Sequence, residues 1–179
     1  MAFPSTKRED ITVLDALQKL SEGLTGTQKA DVGSFRDFVR NVWSLSYDRP
    51  ELFNTWHVDI ITDDIERAIA ENKNYVAILP RFHFKSTLLG HAFSVWRLLK
   101  AKRDTSILYL SYSDTMARYH ISEINKTVQR NPILMDWLKA KNTRAEFQFR
   151  YTLNNKPVEI LHGGLFSFKR GMHVNGALI

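Results

Sequence analysis

Along most of this chain apolar residues recur at helical spacing, and only a few short stretches are apolar without interruption. Val13, Leu14, Leu17 and Leu20 form a stripe within Ile11 to Ser21 that Gly23 stops, which predicts a short amphipathic helix. The polar, glycine-containing stretch on to Gly33 reads as a linker, so residues 1–33 are expected to be a helical arm ahead of a body spanning residues 34–179. Ser34 is a candidate N-cap. In the body, Phe35, Phe38, Val42 and Leu45 make a second stripe that ends before Asp48-Arg49-Pro50. A longer helix is predicted from about Thr55 to Asn72, with Ile60, Ile61, Ile65, Ala68 and Ile69 inward.

Two unbroken runs, Tyr75 to Leu79 and Ser106 to Leu110, have the character of parallel strands buried on both faces. A helix is predicted after each: one carries Leu88, Leu89, Ala92, Val95, Trp96 and Leu99, the other Ala117, Ile121, Ile124 and Val128, capped by Ser113 or Asp114. Alternating strands and helices imply right-handed crossovers and an α/β fold, a mostly parallel sheet flanked by helices on both faces. Asn131-Pro132 interrupts the pattern, and a brief helix with Trp137 and Leu138 follows. Glu146 to Leu153 and Pro157 to Leu161 then predict a hairpin turning at Asn154-Asn155. Gly163-Gly164 ends it, and Gly176 to Ile179 reads as the start of a further strand. Trp96 and Trp137, at helical spacing, are expected in the core.

Composition narrows the function classes. The 179 residues are 44% hydrophobic and 12% aromatic, which argues for one well-cored domain and against disorder. A net charge of +6 favours an acidic partner, of which a phosphate polymer is the commonest. With no cysteine, disulfides and thiolate metal sites are excluded, in keeping with a reducing compartment. No run reaches the roughly 20 apolar residues of a membrane span, and the charged start, Met1 to Asp10, does not suit a secretory signal, so a soluble cytoplasmic protein with no membrane partner is expected. The six histidines show no paired ligand spacing that would predict zinc.

The chemistry concentrates in Pro80-Arg81-Phe82-His83-Phe84-Lys85-Ser86-Thr87, between the first apolar run and the helix that begins at Lys85. A strand, a tight turn and a helix start form the layout of a phosphate-binding loop, because the first helical turn offers unpaired N–H groups and a positive dipole end to an anion. Lys85 would reach the β- and γ-phosphates of ATP, and the Ser86 hydroxyl would ligate Mg2+. Only Lys85-Ser86 matches the pattern G-x-x-x-x-G-K-[ST] literally, since Leu79 and Phe84 stand where glycine is usual. Glycine serves there because the backbone approaches phosphate closely and can require positive φ. Either the loop keeps negative φ at Phe82 and Phe84 with the rings turned away, the reading preferred here, or the site is degraded. His83 has two equal roles open to it, phosphate contact or a backbone hydrogen bond. The plain alternative is a strand-loop-helix unit with a lysine at its helix start. Asp63-Asp64 is read as solvated helix charge. Arg144, Arg150 and the pairs Lys102-Arg103 and Lys169-Arg170 read as a DNA-facing surface or as solvated faces.

Taken in order, Phe35 through Trp43, Asn54-Thr55-Trp56-His57, Leu79-Pro80-Arg81 through Thr87, Leu110-Ser111-Tyr112-Ser113, and Gly163-Gly164 leading to Lys169-Arg170-Gly171-Met172-His173 resemble the ATPase domain of the large terminase subunit, the motor that packages double-stranded DNA into tailed bacteriophage heads. The resemblance covers roughly residues 35–179. It implies a P-loop NTPase-like fold and an ATPase in which Lys85 and Ser86 contact phosphate and magnesium. It also implies that Arg81 senses the γ-phosphate, that Trp56 and His57 lie on the adenine side, and that Arg170 is the finger inserted into a neighbouring subunit's site. Phe82 and Phe84 depart from the family's commoner glycines. The implied partners are double-stranded DNA, a portal protein, a small terminase subunit and further copies in a ring, in the host cell cytoplasm and transiently docked on the procapsid. Family members continue beyond a strand like Gly176-Ala-Leu-Ile into two acidic residues, so the chain is expected to be a truncated piece, inactive in hydrolysis by itself. Two rivals remain open: another nucleic-acid-dependent phosphate-loop ATPase such as a helicase, and a non-catalytic nucleotide-binding or scaffold fragment.

Overall fold

The computed structural model describes residues 32–101, 104–140, 147–166 and 176–178. The chain divides into two units after Asp31, and every described element belongs to the second, Val32–Ile179. The expected arm helix over Ile11 to Ser21 lies outside the described residues.

Ser34 caps the first helix as expected, its hydroxyl accepting from the Asp37 N–H at 3.0 Å, and α1 runs Phe35–Asn41. Glu66 closes the same end from a distance, accepting from the Phe35 N–H at 2.8 Å. Two short 3-10 turns, Trp43–Ser46 and Pro50–Phe53, lead to α2, Trp56–Ala70. Its buried stripe is Val58, Ile61, Thr62 and Ile65. Ile60 and Ile69, expected inward, are exposed instead. The helix is turned so that Thr62 faces the core, where its hydroxyl is satisfied by the Val58 carbonyl at 2.9 Å. Sequence periodicity treats such a threonine as polar and misplaces the stripe.

After the loop comes a π-helical segment, Ser86–Ala92, that continues into α3, Phe93–Leu99. Strand β1 is Thr105–Ser111, α4 is Asp114–Arg130 and α5 is Pro132–Trp137. The remaining strands are β2 (Lys139–Ala140), β3 (Phe149–Leu153), β4 (Lys156–Gly164) and β5 (Gly176–Leu178). Ala117, Ile121, Ile124 and Val128 are all fully buried, as the spacing of α4 predicts, and each isoleucine contributes about 2 kcal/mol on burial. Trp96 is buried, but Trp137 is only half-buried, because Ile133 and Leu134 supply the inward face of α5.

The fold is mixed α/β, with one five-stranded sheet in the order β2-β3-β4-β1-β5. β1 pairs in parallel with β4 and β5, whereas β2-β3 and β3-β4 are antiparallel, so the sheet is mixed and not mostly parallel. The hairpin turns at Asn154 and Asn155 as expected, both with positive φ (49° and 62°), which suits the tight turn that matches strand twist. Ile107, Tyr109, Val158, Ile160, Phe149 and Tyr151 share one buried face by register. On this face α4 sets His120 beside Tyr109, with ring centroids 5.3 Å apart, and the π segment brings Gly90 against the Tyr109 hydroxyl, where an added Cβ would sit 2.6 Å from that oxygen. The opposite face carries the exposed Arg150, paired with Glu159 at 3.3 Å, beside the buried Leu108.

The largest departure is Tyr75 to Leu79, expected as a buried parallel strand. It belongs to no strand or helix, with Val76 81% and Ile78 93% exposed. The sheet takes β4 and β5 beside β1 and places this run at neither outer edge, an outcome that a local apolar run does not encode.

Asn131 joins the first 3-10 turn to the start of α5. Its side-chain carbonyl accepts from the N–H groups of Ile133 and Leu134, both at 3.1 Å, and its amide donates to Val42 O at 2.7 Å and Ser46 Oγ at 3.0 Å. The residue is fully buried, so Asn131→Ala removes a cap and leaves the N–H groups of Ile133 and Leu134 without their side-chain acceptor. Denaturant unfolding of this variant is expected to show a loss of about 2–3 kcal/mol, with an unchanged dependence on denaturant concentration.

Candidate phosphate-loop site

The loop is anchored by aromatic rings that approach it from the 3-10 turns and from the start of α2. Phe84 lies 5.1 Å from Phe53, which lies 5.1 Å from Tyr47. On its other side Phe84 stacks on His57 at 6.3 Å with 5° between planes, and His57 in turn meets His83 at 5.7 Å and Trp56 at 5.8 Å. Thus the structure brings Trp56, His57, His83 and Phe84 together, with Lys85 next in the chain.

The preferred expectation of negative φ at both phenylalanines is corrected: φ is 66° at Phe82 and 55° at Phe84. The left-handed region costs a residue with a Cβ about 1–2 kcal/mol, and such strain persists where the surroundings impose it. At Phe84 the ring cluster imposes it. The expectation that the Phe84 ring turns away holds in that the ring packs on Phe53 and His57; the Phe82 ring points into solvent at 97% exposure. Phe84 stands where the phosphate-loop pattern has its last glycine, and it has the backbone sign that glycine supplies there.

Lys85 follows with φ −46° and ψ −62°. A left-handed residue followed by a right-handed one turns successive N–H groups toward one concave side, which is an anion-binding arrangement. The helical ladder starts with the Leu88 N–H bonding Phe84 O at 2.7 Å, so the N–H groups of Lys85, Ser86 and Thr87 precede it. The Lys85 ammonium donates to Leu79 O at 2.6 Å, which closes the loop across its mouth. His83 is exposed, and its Nδ1 lies 2.9 Å from Arg81 O, so the backbone contact is made while the rest of the ring stays open to solvent. Arg81 and Ser86 are exposed, Thr87 is half-buried, and Trp56 is 75% exposed at the first position of α2. These residues fit a phosphate group by backbone sign, by N–H groups ahead of the helical ladder and by a cation on a long side chain. The Ser86 hydroxyl is the metal donor at hand; no group of three or more His, Asp or Glu able to hold a metal occurs among the described residues. Arg170, Arg144 and the pairs Lys102-Arg103 and Lys169-Arg170 lie outside the described residues.

Behind the loop, the π segment carries a buried histidine. His91 Nε2 and His120 Nδ1 are 3.0 Å apart, and burial together with the neighbouring His120 pushes His91 down to about 3. Burial also lowers His120, against the opposing pull of Glu123, and raises the Tyr109 phenol to about 12. This polar cluster ties the helix leaving the loop to α4 and β1, and a sequence reading directed at metal spacing misses it. Equally unforeseen is His162, whose Nδ1 lies 3.0 Å from Asp114 at the start of α4. Although burial opposes ionisation, His162 and Arg118 together hold the Asp114 carboxyl below its usual range.

No described helix is long and apolar enough to cross a membrane. Comparison with protein-family models, curated proteins and solved structures finds no match to this chain.

Two outcomes test the site's physics. At φ 55° glycine is favoured over alanine, so Phe84→Gly is expected to be about 1 kcal/mol more stable than Phe84→Ala, both being less stable than the parent; thermal melts that rank alanine above glycine would contradict the left-handed assignment. His91 is held neutral in the fold while the unfolded chain protonates near pH 6.5, so stability is complete above that value and falls as pH drops toward about 3. Between about pH 7 and about pH 5 the loss is about 2 kcal/mol, and His91→Gln is expected to flatten it in urea titrations.

Proposed function

We propose that this chain is the ATP-binding part of a viral DNA-packaging motor of the large-terminase kind, which couples ATP hydrolysis to movement of double-stranded DNA into a procapsid. The observation that carries the nucleotide half of this reading is the positive φ of Phe84 directly before Lys85-Ser86 at a helix start. A bulky residue is held in the conformation for which phosphate loops use glycine, and an outlier of this kind is a mark of a functional loop. In this reading Lys85 leaves the Leu79 carbonyl to meet the β- and γ-phosphates, and Ser86 ligates Mg2+. Arg81, Phe82, His83 and Thr87 border the phosphates, and Trp56 and His57 face the adenine. Arg170 serves as the catalytic finger toward a neighbouring copy in a ring, where a guanidinium stabilises charge on the transferred phosphoryl group. The DNA half rests on the net charge of +6 and on the order of sequence motifs. Portal protein and small terminase subunit complete the proposed assembly, working in the host cytoplasm.

One observation favours a second reading. Tyr75 to Leu79 lies outside the sheet, so the loop is anchored by aromatic packing instead of by a strand, as suits a protein that binds nucleotide without turning it over.

Titration calorimetry with ATP and Mg2+ tests the nucleotide role directly. Binding is expected for the parent, and Lys85→Ala is expected to weaken it at least tenfold, roughly the loss of one charge-assisted contact to phosphate. Absence of binding by the parent chain rejects the nucleotide role, and unchanged affinity in Lys85→Ala rejects the phosphate-loop geometry.

A further inference from the structure

At the carboxyl ends of β1 and β4 two large rings stand in solvent. Tyr112, the residue after β1, is 77% exposed, and Phe166, two residues after β4, is 87% exposed. Their centroids are 6.1 Å apart with planes at 81°. Neither ring is carried on a loose loop. Ser111 is in register with Gly164 in the parallel ladder, and the Leu165 N–H donates to Ser111 O at 2.9 Å, which pins the turn after β4 to the end of β1. Ser113 caps α4 by accepting from the Met116 N–H at 3.2 Å, and His162 on β4 binds Asp114 on α4 at 3.0 Å. The backbone on both sides of Tyr112 and the turn leading into Phe166 are therefore held in place.

We propose that Tyr112 and Phe166 form a stacking platform for unpaired bases of a nucleic-acid strand. Ligands of open α/β sheets bind outside the carboxyl ends of the strands, which is where the pair sits. The faces of exposed rings accept any planar base, and a chain of net charge +6 draws in the phosphodiester backbone that carries it. Duplex DNA hides its base faces and shows only edges in the grooves, so ring faces select a strand whose bases are free. The edge-to-face arrangement turns the two rings to different sides, so a base stacks on one ring at a time. The inference shares with the function proposed above its nucleic-acid partner and not the duplex form, since packaged duplex offers no free base faces, and it is independent of the loop at Lys85.

Fluorescence anisotropy with labelled oligothymidylate, the same strand made abasic, and a duplex of equal length tests it at one low salt concentration. The parent is expected to bind the base-bearing strand about tenfold tighter than the abasic one, the gain typical of base stacking on an aromatic residue. Phe166→Ala and Tyr112→Ala should each remove most of that difference, Phe166→Tyr should keep it, and all three should retain the parent's melting temperature and its ATP affinity. Equal binding of abasic and base-bearing strands overturns the platform while leaving the packaging reading intact. So does an unchanged preference in both alanine variants, which would leave the patch as a protein contact. Failure of the parent to bind any of the three nucleic acids overturns the platform and the DNA half of the proposed function together, and Lys85→Ala, which should alter ATP affinity alone, keeps that outcome separate from failure of the nucleotide loop.

Discussion

The left-handed backbone at Phe84 is the constraint on which the candidate site depends. Holding a phenylalanine at φ 55° costs about 1–2 kcal/mol, and packing of its ring between Phe53 and His57 offsets that cost. One side chain therefore does two things: it fixes the turn that starts the helix at Lys85, and it ties the loop to the residues that precede α2. Glycine at the same position would adopt the turn without strain but would have no ring with which to fasten it.

From this anchor the support runs backward into the core. The π segment leaving the loop meets β1 through Gly90 and Tyr109 and meets α4 through His91 and His120, so both helices close on the same face of the sheet. The buried His91, hydrogen-bonded to the half-buried His120, contributes directional specificity that an aliphatic pair would lack, in exchange for sensitivity to acid. Asn131 has a similar part at the opposite side, holding Val42 and Ser46 to the start of α5.

The elements whose apolar positions repeat locally are legible in the sequence: α4 with its four fully buried positions, the Ser34 and Ser113 caps, and the hairpin at Asn154-Asn155. The α2 stripe is misplaced by periodicity because Thr62 buries a satisfied hydroxyl that counts as polar. Tyr75 to Leu79 is misassigned because an apolar run records composition and not pairing, and the sheet order β2-β3-β4-β1-β5 does not include it. At the candidate site, Lys85-Ser86 and the adjacency of Trp56 and His57 can be named from the sequence, since each belongs to a spaced motif. The backbone sign at Phe84 cannot, because it is set by Phe53, which lies 31 positions earlier and belongs to no motif.

The π-helical turn at Ser86–Ala92 has a consequence for length. A π turn is an α-helix that has accommodated one surplus residue, so the face shown by Lys85 and the face shown by Trp96 and Leu99 are set out of step by that residue. Removing a single position between Ser86 and Ala92 would restore regular winding while leaving the loop end and the core end pointing as they do now. Removing one anywhere in Phe93–Leu99 has no surplus to draw on and would swing the loop end around the helix axis by about 100°.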